Sequence, residues 1–558
     1  MDVTMAMIQQ ESATPVVPLW MNFIPAAEGW RIVWIGTHQS GAAIQTLCLQ
    51  SRVSISFIGD LKCDPRPCAV QSYDSVSSLP HGSHDCAIVD VEQLFAFARS
   101  NQSRLDRIEA ILDVLKPEGT IVFMLSPGIL QIRHRIRLMR ALHVRGLAAL
   151  WCCFCEPNCE NPLRIVPFSD DPSWAICSLS SFPSWKRLNV QSFIRQGVKR
   201  LALRSLRIHF PFLGLLAVGI KSSSPESRRQ LSLYAKVLAA AKDAEWNSGK
   251  LVAVLSSQPY AGKEFFLVFD PATSELKAVA KACHRGSPGA PLVQQEYGNL
   301  ILVSSYADSL EQQQIRLPRV LYAENSDART IFVTTAAGGM RIADMVRRYT
   351  RRGNDQTIHD LVRESVQFLI RLHTKLNEHL SHKVPDLGRR YLENYLNFDL
   401  ASPSGGALPP FASPSVQHGD LTAENVYLDH DTRRWEVIDW EWLGGGYPPL
   451  FDFFSLLRSI GAWRDSHLRG DSHTKTLRSF VRVFFGKGPF SNLEKEMLHT
   501  YCAGLKIDAN LAFSYFRYFL LWRCNRYRLH GAAWHGASRV WEDLLRYAIV
   551  HAGEFALM

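Results

Sequence analysis

The 558-residue sequence contains no apolar run of the ~18 residues that a membrane span needs, and the apolar stretch 210–220 is too short. Its beginning, MDVTMAMIQQESATP, lacks the basic and apolar regions of a signal peptide. The net charge of +10 is modest for this length and is spread along the chain, which argues against a nucleic-acid partner. We therefore expect a cytoplasmic protein without an integral membrane segment, although the basic segment Arg195–His209 could touch a membrane surface.

The twelve cysteines lack the spacing of a zinc site or a disulfide framework. Cys152, Cys153, Cys155 and Cys159 lie close together in WCCFCEPNC, but no second ligand pair follows at zinc-ribbon distance. Their apolar and aromatic surroundings fit a strand that runs into a proline turn. We therefore expect reduced thiols, as in a cytosolic protein.

The length exceeds what one hydrophobic core usually holds, so we expect more than one domain. A polar stretch with a proline, KSSSPESRR at residues 221–229, is typical of a linker. The predicted segments are an N-terminal extension (1–24), an α/β domain (25–222), a linker (223–245) and the two lobes of a second domain (246–338 and 339–558).

Apolar runs alternate with a helical pattern before this linker. Continuous apolar strands separated by helices predict a parallel, doubly wound α/β sheet. The predicted strands are 30–36, 53–59, 86–91, 119–125 and 213–221, with a helix around 104–115.

The order of these elements, with LDVLKPEGTIVFML as its clearest signature, resembles the class I methyltransferase fold that binds S-adenosylmethionine. The resemblance implies an acidic residue and several glycines after the first strand, where the backbone approaches the cofactor closely. Here Trp34 stands in place of the acid and Gly36 is one of two glycines nearby, while Asp60 could contact a ribose. We therefore expect a degenerate Rossmann-like methyltransferase domain, with retained S-adenosylmethionine binding as the alternative.

The stretch Ser415–Asp452 spaces three polar residues as a metal-dependent phosphoryl-transfer site requires. Such a site needs a carboxylate beside the attacking hydroxyl and oxygen ligands that hold magnesium against the phosphates. Asp420 can take the first role, and Asn425 and Asp439 can hold the metal. These residue types at this spacing point to a kinase.

Two short β-prone runs support this interpretation. Glu424–Asp429 and Trp435–Ile438 flank the turn DHDTRR, so the sequence predicts a hairpin. A hairpin brings Asn425 and Asp439 to neighbouring strand ends, and the two predicted metal ligands should therefore be close in space.

The motifs HGDLTAEN and IDWEW resemble the aminoglycoside phosphotransferase and choline kinase group, small-molecule kinases with the protein-kinase fold. The resemblance implies an α+β, two-lobed domain that uses ATP and Mg²⁺. It makes Asp420 the base that orients the acceptor hydroxyl, and Asn425 and Asp439 the magnesium ligands. His418 would act as a general acid or shape the loop, and Glu441 would assist the metal or solvate a strand end.

The same resemblance implies a preceding lobe of strands with a phosphate-binding lysine. Three β-prone runs, LVAVLSSQ, EFFLVFD and LKAVAKA, predict an antiparallel meander. The third run ends in AVAK, which resembles the kinase V-A-I-K strand and makes Lys281 the candidate for the α- and β-phosphates. Lys277, on the same face, is the rival, and Glu296 in the next helix would pair with Lys281.

The turn between the first two of these strands contains Gly262 alone, so the glycine-rich loop of protein kinases is absent. Ser256 and Ser257 beside this turn are candidate nucleotide contacts. Thr335 lies in a predicted hinge, Thr334–Ala337, where backbone groups would meet the adenine by family analogy.

The C-terminal part of the second domain indicates which kind of molecule accepts the phosphate. Apolar residues at helical spacing predict a buried helix over Thr357–Leu380. The segment YFRYFLLWRCNRYR is basic and aromatic, which fits a neutral or anionic acceptor better than a polycationic aminoglycoside. Its arginines could instead form a solvated face.

The leading hypothesis is an ATP- and Mg²⁺-dependent phosphotransferase that acts on a hydroxyl of a small molecule, such as a sugar, a nucleoside or a lipid-linked precursor. One alternative is a bifunctional enzyme whose first domain still transfers methyl groups. The other is a pseudokinase that serves as a binding scaffold.

Overall fold

A computed structural model describes the chain in segments. Contacts divide the chain into two compact units: unit 1 holds Met1–Ala290 and Leu321–Thr335, and unit 2 holds Pro291–Val320 and Ala336–Met558. The described residues are 30–36, 54–58, 69–91, 101–125, 147–156, 164–168, 214–221, 233–242, 251–258, 262–270, 273, 275–284, 286–326, 329–388, 415–467, 471–486, 489–529 and 535–555.

The described part of unit 1 is mainly strands, and that of unit 2 is mainly helices. The strands are β1 (Arg31–Ile35), β2 (Ser54–Ile58), β3 (Ala69–Tyr73), β4 (His84–Asp90), β5 (Leu115–Leu125), β6 (Leu147–Glu156), β7 (Arg164–Phe168), β8 (Gly214–Lys221), β9 (Val252–Gln258), β10 (Lys263–Asp270), β11 (Glu275–His284), β12 (Ile315–Arg316), β13 (Val320–Asn325), β14 (Arg329–Thr335), β15 (Met340–Arg341), β16 (Ser415–Gln417), β17 (Val426–Leu428), β18 (Trp435–Val437) and β19 (Gly444–Tyr447). The α-helices are α1 (Asn101–Val114), α2 (Leu233–Lys242), α3 (Ala290–Ser304), α4 (Ala307–Glu311), α5 (Ile342–Arg351), α6 (Asp355–Leu380), α7 (Phe451–Arg464), α8 (Ser472–Phe484), α9 (Pro489–Leu505), α10 (Ala512–Leu529) and α11 (His535–Val550).

The first strands of unit 1 form a parallel sheet in the order β3-β2-β1-β4-β5. The register of β1 places Ile32 beside Ile55 of β2 and beside Cys86 of β4. Successive residues of β1 are buried on both faces, since Val33 is 0% exposed and Trp34 is 1% exposed. Burial on both faces explains the continuous apolar runs of the sequence. The strand order reverses between β1 and β4, so this part of the sheet is a doubly wound, Rossmann-like core.

The same sheet continues through antiparallel strands. β5 pairs with β8, β8 with β6, and β6 with β7, after which β7 pairs with β9. The junction between β7 and β9 places Arg164 opposite Ser256 and Ile165 opposite Leu255. β9, β10 and β11 form the predicted antiparallel meander, and β14 and β13 complete a thirteen-stranded sheet within the described residues. Two predicted domains thus share one sheet, because β7 and β9 hydrogen-bond along edges that would otherwise be exposed.

A helix lies inside the segment 223–245 that the sequence predicts as a linker. Along this helix, α2, the side chains of Tyr234, Val237 and Ala241 recur at helical spacing and are at most 1% exposed. The hydroxyl of Tyr234 accepts a hydrogen bond of 3.2 Å from the Ala253 N–H. The two compact units therefore divide the chain differently from the five predicted segments, because α2 and the β7–β9 pairing attach the meander to unit 1.

Unit 2 is built around the 26-residue helix α6, which matches the helix predicted from apolar spacing. The side chain of Asn354 caps this helix by accepting a hydrogen bond of 3.2 Å from the Thr357 N–H. The buried side of the helix holds Ile358, Leu361, Val362, Val366, Phe368, Leu369, Leu372, Leu376 and Leu380. None of the described helices combines the length and the apolar composition of a membrane span.

Two small sheets position the polar residues of unit 2. One has the order β12-β18-β17-β15, and the other pairs β16 with β19. β17 and β18 form the predicted hairpin, with Val426 opposite Val437 and Leu428 opposite Trp435. The hairpin ends at the 3₁₀ turn Trp440–Trp442.

Candidate active site

One buried carboxylate fixes the backbone that follows β16. Asp452 is 0% exposed, and its two oxygens accept hydrogen bonds from the N–H groups of His418 at 2.6 Å and Gly419 at 3.0 Å. Gly419 has a φ of +80°, and a Cβ there would lie 2.4 Å from the Trp442 carbonyl oxygen. Only glycine fits this position. The backbone immediately before Asp420 is therefore held in one conformation.

Buried side chains support Asp452 in turn. Nε2 of His373 lies 3.1 Å from Oδ2 of Asp452, and Nδ1 of the same ring lies 2.6 Å from the Tyr501 hydroxyl. The Asp452 N–H donates to Oε1 of Gln417 at 3.1 Å. Burial alone would raise the pKa of Asp452, but the hydrogen bond and charge of His373 outweigh it and hold that pKa below its ordinary value. Asp452 therefore ties the loop after β16 to helix α7.

His418 is fully buried, and both of its ring nitrogens are engaged. Nε2 lies 3.1 Å from the carbonyl oxygen of Ile438, so it must donate, and Nδ1 accepts from the Asp420 N–H at 3.3 Å. These two bonds define a neutral ring with the proton on Nε2. Burial lowers the pKa of His418, although nearby carboxylates oppose the shift. The hydrogen bonds give His418 a role in shaping the loop and leave no ring nitrogen for a general acid.

The hairpin brings the two predicted metal ligands to the same place as Asp420. The Ile438 N–H donates to the Asn425 carbonyl oxygen at 3.0 Å, which places Asp439 beside the start of β17. Nδ2 of Asn425 lies 3.0 Å from the Asp420 carbonyl oxygen and 3.5 Å from Oδ2 of Asp439. Asp439 has a φ of +70°, a left-handed conformation that aspartate tolerates better than most residues. The structure therefore gathers Asp420, Asn425 and Asp439.

Two glutamates join Asp439 in an acidic cluster. One carboxylate oxygen each from Glu296, Asp439 and Glu441 lies within 4.8 Å of the others, and both glutamates are buried. Helix α3 is anchored here by Nδ2 of Asn299, which donates to the Trp440 carbonyl oxygen at 2.8 Å. Glu296 and Asn299 stand three residues apart on one helix face. The contact between α3 and the carbonyl of Trp440 therefore places Glu296 beside Asp439.

This donor set fits a divalent cation. The cluster offers oxygen ligands from three carboxylates, and the amide of Asn425 lies beside them. Because Nδ2 of Asn425 faces two acceptors, its Oδ1 is the atom left for a ligand. Oxygen donors are what magnesium prefers, and a cation would relieve the repulsion between like charges held in a buried place.

Two arginines of α10 meet Asp420. Nη1 of Arg523 donates to Oδ1 at 2.8 Å, and Nη2 of Arg526 donates to Oδ2 at 3.2 Å. Burial alone would raise the pKa of Asp420, but the charges of Arg526 and Arg523 outweigh it, so that pKa lies well below its ordinary value. Asp420 is therefore an anion at neutral pH.

The sequence does not predict that these two arginines contact Asp420. The sequence offered a basic pocket or a solvated face, whereas the structure buries Arg523 and Arg526, at 2% and 6% exposure, against Asp420. A signal was present, because the two arginines stand three residues apart in a strongly aromatic helix. Asn299 was also missed, although it stands one helical turn from Glu296.

The nucleotide contacts predicted in unit 1 lie on its antiparallel strands. Lys281 is half-buried on β11, opposite Phe265 of β10 and Phe332 of β14. Its rival, Lys277, forms an ion pair of 2.6 Å with Glu275. Lys281 belongs to unit 1 and Glu296 to unit 2, and their pairing stays a prediction.

The remaining predicted nucleotide residues stand at strand ends. Ser256 and Ser257 are half-buried near the end of β9, opposite Phe265 and Glu264 of β10. Thr335 is the last residue of β14 and is also half-buried. The roles of these three residues stay predictions.

Gly36 follows β1 directly, is buried, and donates its N–H to the Ile58 carbonyl oxygen at 3.3 Å. Asp60, Cys159 and the basic segment 195–209 lie outside the described residues. The predicted strand around Cys152 is observed as β6.

No protein-family model matches the chain, and no curated protein sequence matches it. Among solved structures, aminoglycoside phosphotransferase APH(3'')-Id from Streptomyces rimosus is 17% identical over 51% of this chain and 96% of its own, with a TM-score of 0.28. The same enzyme with ADP and streptomycin gives 17% identity over 51% and 95%, with a TM-score of 0.28. Phosphoethanolamine N-methyltransferase 2 from Haemonchus contortus, in complex with S-adenosyl-L-methionine, is 9% identical over 37% of this chain, with a TM-score of 0.22.

This chain spans about half, 51%, of that methyltransferase. These TM-scores are too low for the likenesses to support an argument about activity. The geometry of the described residues carries that argument instead.

Proposed function

We propose that the protein is an ATP- and Mg²⁺-dependent phosphotransferase that phosphorylates a hydroxyl group of a small molecule. The observation that carries the proposal is the meeting of Asp420, Asn425 and Asp439, with Nδ2 of Asn425 within 3.0 Å of the Asp420 carbonyl oxygen and 3.5 Å of Oδ2 of Asp439. The residue whose carboxylate would face the acceptor hydroxyl thus adjoins the residues that would ligate a metal, an arrangement that supports phosphoryl transfer. A sugar, a nucleoside or a lipid-linked precursor is the proposed class of acceptor.

Asp420 orients the hydroxyl and receives its proton. As the acceptor oxygen bonds to the γ-phosphorus, the bond from that phosphorus to the bridging oxygen breaks, ADP leaves, and the hydroxyl proton passes to the carboxylate. The paired arginines keep Asp420 ionised, so it can accept a hydrogen bond from the hydroxyl, and as a weak base it takes the proton only while the bond to phosphorus forms.

Asp439 and Asn425 would hold the magnesium ion, with Glu441 and Glu296 close by. When bound, the ion neutralises charge on the phosphate oxygens. Lys281 would contact the α- and β-phosphates, while Ser256, Ser257 and Thr335 would contact the nucleotide. These assignments rest on the sequence motifs.

A phosphate-transfer assay on the full chain tests the proposal. A library of hydroxyl compounds is incubated with ATP and Mg²⁺, and phosphorylated products are identified by mass spectrometry. Asp439→Ala should weaken Mg²⁺-nucleotide binding because it removes a predicted ligand. The matched control is Asp431→Ala, an exposed aspartate in the turn of the same hairpin.

Each result has a defined meaning. Phosphorylated product from the wild type and from Asp431→Ala, but not from Asp439→Ala, supports the proposal. Nucleotide binding without any product favours a pseudokinase scaffold instead. Equal loss in both variants would contradict the assignment of Asp439.

Methyl transfer by unit 1 is the second candidate. The observation that favours it is the reversal of strand order between β1 and β4, because doubly wound sheets bind ligands at the carboxyl ends of strands beside such a reversal. Gly36 stands at one of these ends and Asp90 at the other. A thermal shift of the full chain with S-adenosylmethionine is the test, and no shift at saturating cofactor would dismiss this activity.

A further inference from the structure

Helix α7 presents one polar stripe to the loop that carries Asp420. The members of the stripe recur three or four residues apart and are Asp452, Ser455, Ser459 and Trp463. The first three are at most 3% exposed, in a helix whose other buried residues are phenylalanine, leucine, isoleucine and glycine. A buried polar group is unfavourable unless it has a hydrogen-bond partner, so the partners of these residues indicate what the stripe does.

The N-terminal half of the stripe holds the first part of the loop. Asp452 accepts hydrogen bonds from the N–H groups of the two residues before Asp420. Nη2 of Arg523 donates to the Ser455 hydroxyl at 2.7 Å, and Nη1 of the same arginine donates to Asp420 at 2.8 Å. The backbone before Asp420 and its side chain are thus both tied to α7.

The C-terminal half of the stripe holds the turn that leads to Asn425. Oγ of Ser459 accepts a hydrogen bond of 2.8 Å from the Ala423 N–H. Nε1 of Trp463 donates to Oε1 of Glu424 at 2.6 Å. Two consecutive residues of the loop are therefore bonded to one face of α7.

The same turn is also bonded to α5. The Ala343 N–H donates to the Ala423 carbonyl oxygen at 2.9 Å. Both backbone groups of Ala423 are therefore hydrogen-bonded to helices, and a movement of the turn would break these bonds. Ala343, Ser459 and Trp463 together form a clamp around the turn 422–425.

We propose that Ser459 and Trp463 are positioning residues for the metal, because they fix the turn that places Asn425. The proposal rests on the phosphotransferase function, in which Asn425 is a magnesium ligand. The Asn425 N–H donates to the Thr422 carbonyl oxygen at 2.9 Å, so a movement of the turn carries Asn425 with it.

The physical reason is preorganisation of the ligand. A glutamate side chain has many rotamers, whereas the bond to Trp463 holds Glu424 in one of them. A metal ligand that is already in place loses less entropy when the ion binds. The clamp should therefore raise the affinity for the metal without changing the affinity for the acceptor.

Binding of Mn²⁺, a spectroscopic substitute for Mg²⁺, tests the proposal on the full chain with ADP present. Electron paramagnetic resonance measures the free ion and gives the Kd. Trp463→Phe removes the indole N–H but keeps an aromatic ring beside Arg347. It should weaken Mn²⁺ binding by about tenfold, the lower end of the effect of losing a partner that orients a metal ligand.

Variants of Glu424 separate its hydrogen bond from its charge. Glu424→Ala should weaken Mn²⁺ binding as much as Trp463→Phe does, whereas Glu424→Gln keeps an acceptor oxygen for the indole and should retain most of the affinity. Glu496→Ala, at an exposed glutamate of α9, is the matched control and should bind Mn²⁺ like the wild type. A wild type that binds no Mn²⁺ would contradict both this proposal and the phosphotransferase function.

A double variant shows whether the two side chains act through their shared hydrogen bond. Trp463→Phe/Glu424→Ala should bind Mn²⁺ no more weakly than either single variant, because each single change already removes the bond. Additive losses, or a Kd at the wild-type value in Trp463→Phe, would overturn the proposal.

Ser459→Ala tests the other bond of the clamp. It leaves the Ala423 N–H buried without its acceptor, so stability to urea should fall, and the Kd for Mn²⁺ of the folded protein should rise by about tenfold. Lower stability with a wild-type Kd would show a structural role only and would contradict the proposal for Ser459. If Ser459→Ala does not fold, the variants of the half-buried Trp463 decide the question.

Turnover distinguishes failure of this inference from failure of the function. With an acceptor that is phosphorylated, Trp463→Phe should raise the Mg²⁺ concentration for half-maximal rate by about tenfold, leave the KM for the acceptor unchanged and recover kcat at saturating Mg²⁺. If no acceptor is phosphorylated but Mn²⁺ binding depends on Asp439 and on the clamp, the phosphotransferase proposal fails and the positioning role stands. If product forms and Mn²⁺ binding depends on Asp439 but not on the clamp, the function stands and this inference fails.

Discussion

Two regions of unit 2 bury carboxylates in opposite surroundings. Beside the loop after β16, Asp420 is held by two arginines and Asp452 by His373 and two backbone N–H groups. Their pKa values lie below the ordinary range, although burial by itself would raise them. On α9, Glu494 is 0% exposed, neither of its oxygens has a hydrogen-bond partner among the described residues, and burial raises its pKa well above the ordinary value.

Burial is common to both regions, so the partners decide the charge. An aspartate kept ionised inside a protein needs cations or N–H groups placed for it, and the region around β16 supplies them. Burial without such partners favours the protonated, neutral form of Glu494 on α9. The region that stays charged is therefore the one that can orient a hydroxyl and bind a metal.

Replacing Asp420 should produce the largest effect. Asp420→Asn keeps the shape but cannot receive the hydroxyl proton, so kcat should fall by about 10²–10⁴-fold with a smaller change in the KM for ATP. Steady-state kinetics with an acceptor from the library gives both numbers. Asp431→Asn is the control and should retain kcat, whereas similar losses in the two variants would contradict the role of Asp420.

A substitution at Asp452 tests whether this buried carboxylate stabilises the loop after β16. Asp452→Asn removes the charge beside His373 and exchanges an acceptor oxygen for a donor amide next to the His418 and Gly419 N–H groups. We expect the free energy of unfolding to fall by about 3–5 kcal/mol. Urea denaturation measures the loss, and Asp431→Asn should stay within about 0.5 kcal/mol of the wild type. A loss as small as that of the control would show that the buried carboxylate does not hold the loop.

The pH dependence of stability tests whether Glu494 is protonated in the folded protein. Its pKa is raised in the folded state because burial outweighs the attraction of Arg464, so folding favours the protonated form. The contribution of Glu494 to the free energy of unfolding is fully present below the pKa of a glutamate in the unfolded chain. It declines by about 1.4 kcal/mol for each pH unit above that value and is lost as pH rises through the pKa of Glu494 in the folded state.

Glu494→Gln removes this decline. The variant should match the wild type near pH 4 and become more stable than it as pH rises through the folded-state pKa of Glu494. Urea denaturation at several pH values measures the difference. A difference that does not grow with pH would mean that Glu494 is ionised in the folded protein.

Glu436 should make the smallest of these contributions to the change of stability with pH. Burial raises its pKa to about 7, against the hydrogen bond of 2.9 Å that it accepts from the Gly338 N–H. The stability it contributes is present below the ordinary pKa of a glutamate and is lost by about pH 7, up to about 3 kcal/mol. Glu436→Gln should flatten the stability curve over this interval only. A curve that keeps its slope in the variant would assign that slope to another group.

Local patterns in the sequence predict much of the fold and part of the site. The hairpin of β17 and β18 and the helix α6 follow from period and turn chemistry, which act over a few residues. Asn425 and Asp439 meet because this hairpin is local. The sequence therefore predicts their closeness without any knowledge of the remaining chain.

Contacts between distant segments are not visible in such patterns. Arg523 and Arg526 lie 103 and 106 residues from Asp420 in the sequence, and only the packing of α10 brings them to it. The pairing of β7 with β9 likewise joins edges whose match no local period reveals. The partners of the site and the continuity of the sheet therefore needed the structure.

The most direct test of the phosphotransferase site is a crystal structure of the full chain with Mg²⁺ and a non-hydrolysable ATP analogue. Magnesium should lie about 2.0–2.1 Å from oxygen atoms of Asp439 and Asn425, with the γ-phosphate facing Asp420. A metal and phosphates bound away from these three side chains would contradict the proposed function.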